Sequence, residues 1–355
     1  MNGTSASDDL SPISPTPLGL SSLVLPPVPV VSSSYAPPLA LVGGHLQTLY
    51  SAFFRPVDFS YDRRERIDTP DGDFLDLDWA PAQSARAPNA PRRLAIITHG
   101  LEGSADGRYV RGMARALARR GWDVCAWNLR GCSGEPNRRP ATYHSGKTED
   151  LACVLDHVHT HGYDEVVLVG FSLGGNLTLK YLGERGADLP SSIRGAATFS
   201  VPVDLKASSH RIGHLTNWHY TQYFLRSLEE KIRRKADQYP GAVSTDPLHD
   251  IHTLRDFDDA YTAPLNGFGD ADTYYRAASS RPLLADIAVP TLLVNAANDP
   301  FLADTCYPTD IAADHPHLTL DVPDQGGHVG FVTFNEAGEY WSERRAASFL
   351  ATAAR

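Results

Sequence analysis

Short apolar runs alternate with amphipathic stretches along most of the chain. Arg93-Leu94-Ala95-Ile96-Ile97-Thr98, 123–129, 165–170 and 195–201 are nearly continuous in apolar character, as expected of strands buried on both faces. Between them, 108–120, 148–161 and the stretch from Asn176 to Leu182 are helix-forming. Strands and helices in alternation predict a mostly parallel central sheet flanked by helices and joined by right-handed crossovers. Upstream, 67–69 and 74–79 flank Pro70-Asp71-Gly72-Asp73. The Asp-Gly step there supplies the positive φ of a hairpin turn.

The alternation stops after Val203 and resumes at Pro290-Thr291-Leu292-Leu293-Val294-Asn295. The interruption is rich in aromatic, charged and helix-favouring residues, which predicts a helical cap inserted before the strand at Thr291. A last strand at 317–322 and a helix over 336–353 close the chain. The expected organisation is a Ser/Pro-rich, partly disordered tail (1–38), a first core segment (39–204), a cap (205–285) and a second core segment (286–355). No internal repeat is present.

Composition narrows the function classes. A length of 355 residues with 42% hydrophobic content suits one large α/β domain with an insertion. The net charge of −10 and the lack of a basic patch argue against a nucleic-acid partner. Cys125, Cys132, Cys153 and Cys306 show neither metal nor redox spacing, and read as reduced thiols of a cytoplasmic protein. No apolar run reaches membrane-spanning length, and 1–38 lacks the basic start and apolar core of a signal peptide. An apolar stretch at 20–31 is still able to lie along the folded surface.

The chemistry concentrates in Gly170-Phe171-Ser172-Leu173-Gly174, directly after a strand and before a helix. A strand entering a sharp turn and then a helix lifts the central hydroxyl off the sheet edge beside the helix N-terminus. Ser172 is therefore the expected nucleophile, and the plainer alternative is a serine that merely caps the helix. Acyl transfer also needs a base and a carboxylate to orient it, each at the carboxyl end of a strand. Asp299, after the strand at 291–295, and His328, in Gly326-Gly327-His328-Val329-Gly330-Phe331, meet that requirement in the chain order Ser, Asp, His. Asp304 is the alternative acid, and the uncharged Asn298 a poorer one. For the oxyanion, the expected donors are the backbone amides of Leu173 and Leu101, with His99 a loop-former. Most of the 14 histidines carry no chemistry; His157 and His161 form an i,i+4 pair that could hold a metal only with a third ligand, and the sequence offers none. No metal or cofactor is expected.

Further blocks carry a family resemblance. They are Gly44-His45-Leu46-Gln47-Thr48, His99-Gly100-Leu101-Glu102-Gly103-Ser104, Asn128-Leu129-Arg130-Gly131-Cys132-Ser133-Gly134, Phe257-Asp258-Asp259 and Asn298-Asp299-Pro300-Phe301, together with the serine and histidine motifs above. On these the chain resembles the α/β-hydrolase superfamily, and within it the YheT-type esterases, related to eukaryotic α/β-hydrolase-domain lipases and yeast medium-chain ethyl ester synthases. The resemblance runs from about Gly44 to the C-terminus and implies a Ser172, Asp299, His328 triad under a helical cap. Asn298 stands where that family usually has Asp, and the retained Asp299 keeps the acid. The function expected is that of a serine esterase, a carboxylesterase or lipase-like hydrolase of short- to medium-chain acyl groups. Its partner would be a small-molecule ester, lipid esters included. The same triad would serve an alcohol acyltransferase, and a non-catalytic binding protein of this fold is the third reading. Trp218, Tyr220, Tyr223, Phe224 and Tyr274 could wall an acyl chain or form the cap's own core.

Overall fold

The structure, a computed structural model, describes residues 1, 30–31, 33–85, 87 and 89–354. Among the described residues nine strands form one sheet, in the order β1-β9-β8-β7-β6-β4-β5-β3-β2. The antiparallel hairpin of β2 (Arg63–Asp68) and β3 (Phe74–Ala80) forms one edge, and β3 pairs antiparallel with β5 (Asp123–Asn128). From β5 onward every pairing is parallel, through β4 (Arg93–Thr98), β6 (Glu165–Phe171), β7 (Ile193–Phe199), β8 (Thr291–Val294) and β9 (Leu318–Asp321).

Strand β6 shows why the sheet needs cover on both faces. All seven of its residues are buried. Val166 and Leu168 join an apolar cluster with Leu151 and Val154 of α3 (Thr148–His159) and Leu177 of α4 (Leu173–Arg185). Val167, Val169 and Phe171 face the other way, against Met113 and Leu117 of α2 (Arg108–Ala118) and Leu350 of the C-terminal helix Trp341–Ala353. Each face buries its own apolar layer, so between Val166 and Phe171 a polar residue has no tolerated register, and the one charged residue, Glu165, sits at the strand's start paired with Arg93.

Between β7 and β8 the chain leaves the sheet for a set of helices. The longest are α5 (Leu205–Ile212), α6 (Trp218–Gln238) and Ala271–Ala278. They carry cores of their own, with Leu225, Leu228 and Ile232 of α6 packed on Val243, Phe257 and Tyr261, and Tyr274 and Tyr275 on Leu205.

Three details depart from the sequence expectations. Residues 2–29 of the expected tail lie outside the described residues, but Val30–Val31 pairs with β9 as the outermost strand, β1. Tyr35 is buried against Phe331 and Trp341, so part of the expected tail is built into the fold. A helix not anticipated, α1 (Gly44–Phe53), packs beside α2. The last helix starts at Trp341 rather than 336, because Asn335 to Gly338 form a turn and Glu343 caps the amide of Tyr340.

Helix α4 approaches the end of β4 closely. A Cβ at position 174 would sit 2.6 Å from the Thr98 carbonyl oxygen and closer still to that of His99. Both are backbone atoms that cannot rotate away. Gly174→Ala is therefore expected to cost about 1–3 kcal/mol through overpacking, read as a lowered urea midpoint; an unchanged midpoint would contradict this approach.

Candidate active site

Ser172 sits between β6 and α4 with φ 51° and ψ −120°, a conformation that serine rarely adopts. Its backbone amide donates to the Phe199 carbonyl of β7 (2.9 Å), so the turn is held by the neighbouring strand. The strain, about 1–3 kcal/mol at such positions, projects Oγ off the carboxyl end of the sheet. Absence of a side chain at Gly100 lets the loop after β4 close in, since a Cβ there would lie 3.1 Å from that of Ser172.

His328 and Asp299 arrive from β9 and β8. Nε2 of His328 lies 2.9 Å from Ser172 Oγ, and its Nδ1 lies 2.9 and 3.1 Å from the two carboxylate oxygens of Asp299. Asp299 is fully buried and accepts a second hydrogen bond from the Phe301 amide (2.9 Å). Because a carboxylate only accepts, Nδ1 carries the proton and Nε2 is left as the lone pair facing the hydroxyl. An imidazole in that tautomer is set to take the hydroxyl's proton, and the buried carboxylate stabilises the resulting cation. Phe301 packs on the imidazole at 4.3 Å between ring centres. Asp304 is exposed and makes no contact with His328.

The histidine loop is pinned by Thr48 and Ser200, to which the sequence assigned no role, and by Asn298, weighed there only as a poorer partner for the imidazole. The His328 amide donates to Thr48 Oγ1 of α1 (2.8 Å), the Gly327 amide to Asn298 Oδ1 (3.0 Å) and the Val329 amide to Ser200 Oγ (2.8 Å). Gly327 has φ 60°, and a Cβ there would reach Thr48 Oγ1 at 2.8 Å. Positive φ is not confined to glycines, as Val329 (56°) and Phe331 (45°) share it. Thr48 belongs to the Gly44-His45-Leu46-Gln47-Thr48 block, which signalled importance without saying what it touches.

Leu173 opens α4, where the first amides have no partner inside the helix. Among the described residues neither the Leu173 amide nor the Leu101 amide has a protein acceptor, and both residues border the cavity that holds Ser172. The loop carrying Leu101 is locked from below. His99 is buried; its Nε2 accepts from the Leu129 amide (3.0 Å) and its Nδ1 donates to the Gly100 carbonyl (2.8 Å). Burial pushes this imidazole down to about 4, so it stays neutral and structural.

The same loop is also tied to the helices above. Glu102 has φ 53° and a buried carboxylate that accepts from Tyr143 (2.6 Å), Lys231 of α6 (2.8 Å) and Ser227 of α6. Lys231 further touches Cys132 Sγ at 3.1 Å. The ion pair thus fastens α6 to the residue adjoining Leu101.

Above Ser172 lies a cavity of about 990 Å³ between the sheet and these helices. Leu49 and Phe53 of α1, Tyr220, Tyr223 and Phe224 of α6, and Phe301 supply its apolar wall. Tyr274 also borders it, whereas Trp218 is exposed and lies outside the lining. The acidic pair divides between structural duties, with Asp258 accepting from the Tyr275 hydroxyl (2.7 Å) and Asp259 from the Ala271 amide (2.7 Å).

Residues 96–334 match the family described as the alpha/beta hydrolase fold. The chain belongs to the α/β-hydrolase family. Within the α/β hydrolases it is 36% identical over 327 residues to the Escherichia coli (strain K12) protein named "Putative esterase YheT", covering 90% of this chain and 94% of that one. It is 31% identical over 311 residues to human "Phospholipase ABHD3", covering 86% of this chain and 75% of the relative. Among solved α/β hydrolases the Pyrococcus furiosus esterase Pf2001 shares the fold, with a TM-score of 0.54 and 17% identity over 84% of this chain and 97% of that one.

Two measurements follow from the loop's fastenings. In the unfolded chain His99 protonates near 6.5, while the folded form holds it neutral down to about 4. Stability is therefore lost as pH falls through that window, at about 1.4 kcal/mol per pH unit for each such proton. His144, lowered to about 3 by burial, adds a second. His99→Gln is expected to remove one proton's share of the slope in denaturation curves taken between pH 4 and 6.5. Lys231→Met strands a buried carboxylate and is expected to cost about 3 kcal/mol, most of it restored by adding Glu102→Gln; additive losses in the double variant would deny the coupling.

Proposed function

We propose that this α/β hydrolase cleaves carboxylic esters through an acyl-enzyme on Ser172. The observation that carries the reading is the unbroken hydrogen-bonded line from Ser172 Oγ through His328 to the buried Asp299, opening into an apolar cavity. In the proposed cycle Ser172 attacks the ester carbonyl as His328 Nε2 takes its proton. The Leu101 and Leu173 amides receive the developing oxyanion. Asp299 stabilises the imidazolium until its proton passes to the departing alcohol. Water, activated by the same imidazole, then releases the acid. No cofactor enters any step.

The substrate is proposed to be an ester with a short- to medium-chain acyl group, lipid esters included. The cavity is at the upper end of the volumes typical of small-molecule sites, about 300–1,000 Å³, and its apolar wall suits an alkyl chain. The names of the relatives, an esterase and a phospholipase, support an ester bond as the target. Transfer of the acyl group to an alcohol would use the same intermediate, and added alcohol competing with water for the acyl-enzyme measures that partition.

The test is labelling with a fluorophosphonate probe, located by peptide mass spectrometry, beside turnover of a small activated ester. Label on Ser172 is expected in the wild type, absent in Ser172→Ala and sharply reduced in His328→Ala. Ester turnover is expected to fall by about 10⁴-fold or more in Ser172→Ala and His328→Ala, and by about 10⁴-fold in Asp299→Asn. A folded wild type that neither labels nor turns over the ester would sink the reading in favour of a binding protein.

A further inference from the structure

Away from the cavity, the fold completes a set of metal-binding side chains that the sequence shows only in part. His157 lies in the last turn of α3, and His161 follows just after the helix ends. Their rings stand 4.8 Å apart between centres. The missing third group is Glu65, from the edge strand β2, with one ligand atom of each residue within 4.8 Å of the others. Strand pairing makes this meeting invisible along the chain, since Glu65 is placed by its register with Leu77.

The individual geometries favour coordination over a plain ion pair. Nε2 of His157 is buried 3.1 Å from Oε1 of Glu65, yet it makes no hydrogen bond of acceptable geometry. A polar atom left in that state wants a partner lying between the two groups. His161 has its Nδ1 3.2 Å from the His157 carbonyl. A carbonyl only accepts, so Nδ1 is the donor and Nε2 keeps the lone pair, the orienting bond usual for a metal-bound imidazole. Arg63 pairs with the other oxygen of Glu65, Oε2, at 2.8 Å, which leaves Oε1 free and fixes the carboxylate's orientation. Trp79 packs on His161 at 5.4 Å between ring centres.

We propose that Glu65, His157 and His161 form a site for a divalent transition-metal ion that clips the edge strand β2 to the end of α3. Two imidazole nitrogens and one carboxylate oxygen suit zinc, nickel or copper rather than magnesium or calcium. Tetrahedral coordination at about 2.0–2.2 Å places ligand atoms about 3.3–3.6 Å apart. The Nε2 to Oε1 distance is already close to that spacing, and side-chain rotation brings in the third ligand. Water takes the fourth position. The site is separate from Ser172: none of its three residues borders the cavity that holds Ser172, and β2 stands four strands away from β6 in the sheet. The ion's role is structural, adding to the packing of Ile67 against α3 a second tie on an edge strand whose residues are mostly exposed.

The experiment uses tag-free, chelator-stripped full-length protein titrated with ZnCl₂ by calorimetry, and with Co²⁺ by absorption spectroscopy. Expected are one Zn²⁺ per chain, a Co²⁺ spectrum of four-coordinate intensity and a rise in Tm of a few degrees with Zn²⁺. Glu65→Gln and His161→Gln, shown folded by circular dichroism, should each weaken Zn²⁺ binding by about tenfold or more, while Ser172→Ala binds as the wild type does. Absence of stoichiometric binding by the wild type would overturn the proposal. So would binding unchanged in both ligand variants.

Discussion

The site depends first on a backbone conformation that Ser172 would not choose in isolation. Its positive φ is sustained by the amide bond to β7, by the close seat of α4 on β4 and by the packing of Phe171 against Phe199 and Tyr109. Release of any one of these would let the turn relax toward an ordinary strand-to-helix connection. The hydroxyl would then drop toward the sheet and the first amides of α4 would no longer converge on it. The surrounding core therefore holds a strained turn in place as much as it contributes stability.

Opposite the serine, the histidine loop is held by a different means. Its amides are tied to Thr48, Asn298 and Ser200, three side chains from three separate parts of the chain. The imidazole itself bonds only to the groups with which it would react or be oriented. Rigidity is placed in the backbone and freedom to exchange a proton in the ring. Glu102 does the equivalent for the loop at Leu101, linking the position of one amide to the helices that roof the cavity.

Much of this was readable along the chain because it is local. A continuous apolar run, a Gly-x-Ser-x-Gly turn and a glycine-rich histidine loop each declare themselves within a few residues, and the chain order of Ser172, Asp299 and His328 links them. What escaped was set by tertiary contact. The helix α1 offers no strong amphipathic pattern, yet it brings the Thr48 hydroxyl to the histidine loop and Leu49 and Phe53 to the cavity wall. Val30–Val31 is a strand only because β9 leaves an open edge. Glu65 joins His157 and His161 through hairpin register, and Lys231 reaches Glu102 across a span of sequence that no local signal bridges. Trp218 misled for the opposite reason, since aromatic character does not say which side of a helix faces inward.

The wide spacing of the three groups has a consequence for how the site assembles during synthesis. Ser172 and His328 are 156 positions apart. A ribosome-bound chain can fold the serine turn and most of the sheet while its hydroxyl still has no base. Strands β8 and β9 and the histidine loop all come later in the chain, so the hydrogen-bonded line through His328 closes only when they have emerged. A chain that stalls before them would hold the Ser172 hydroxyl without its imidazole partner.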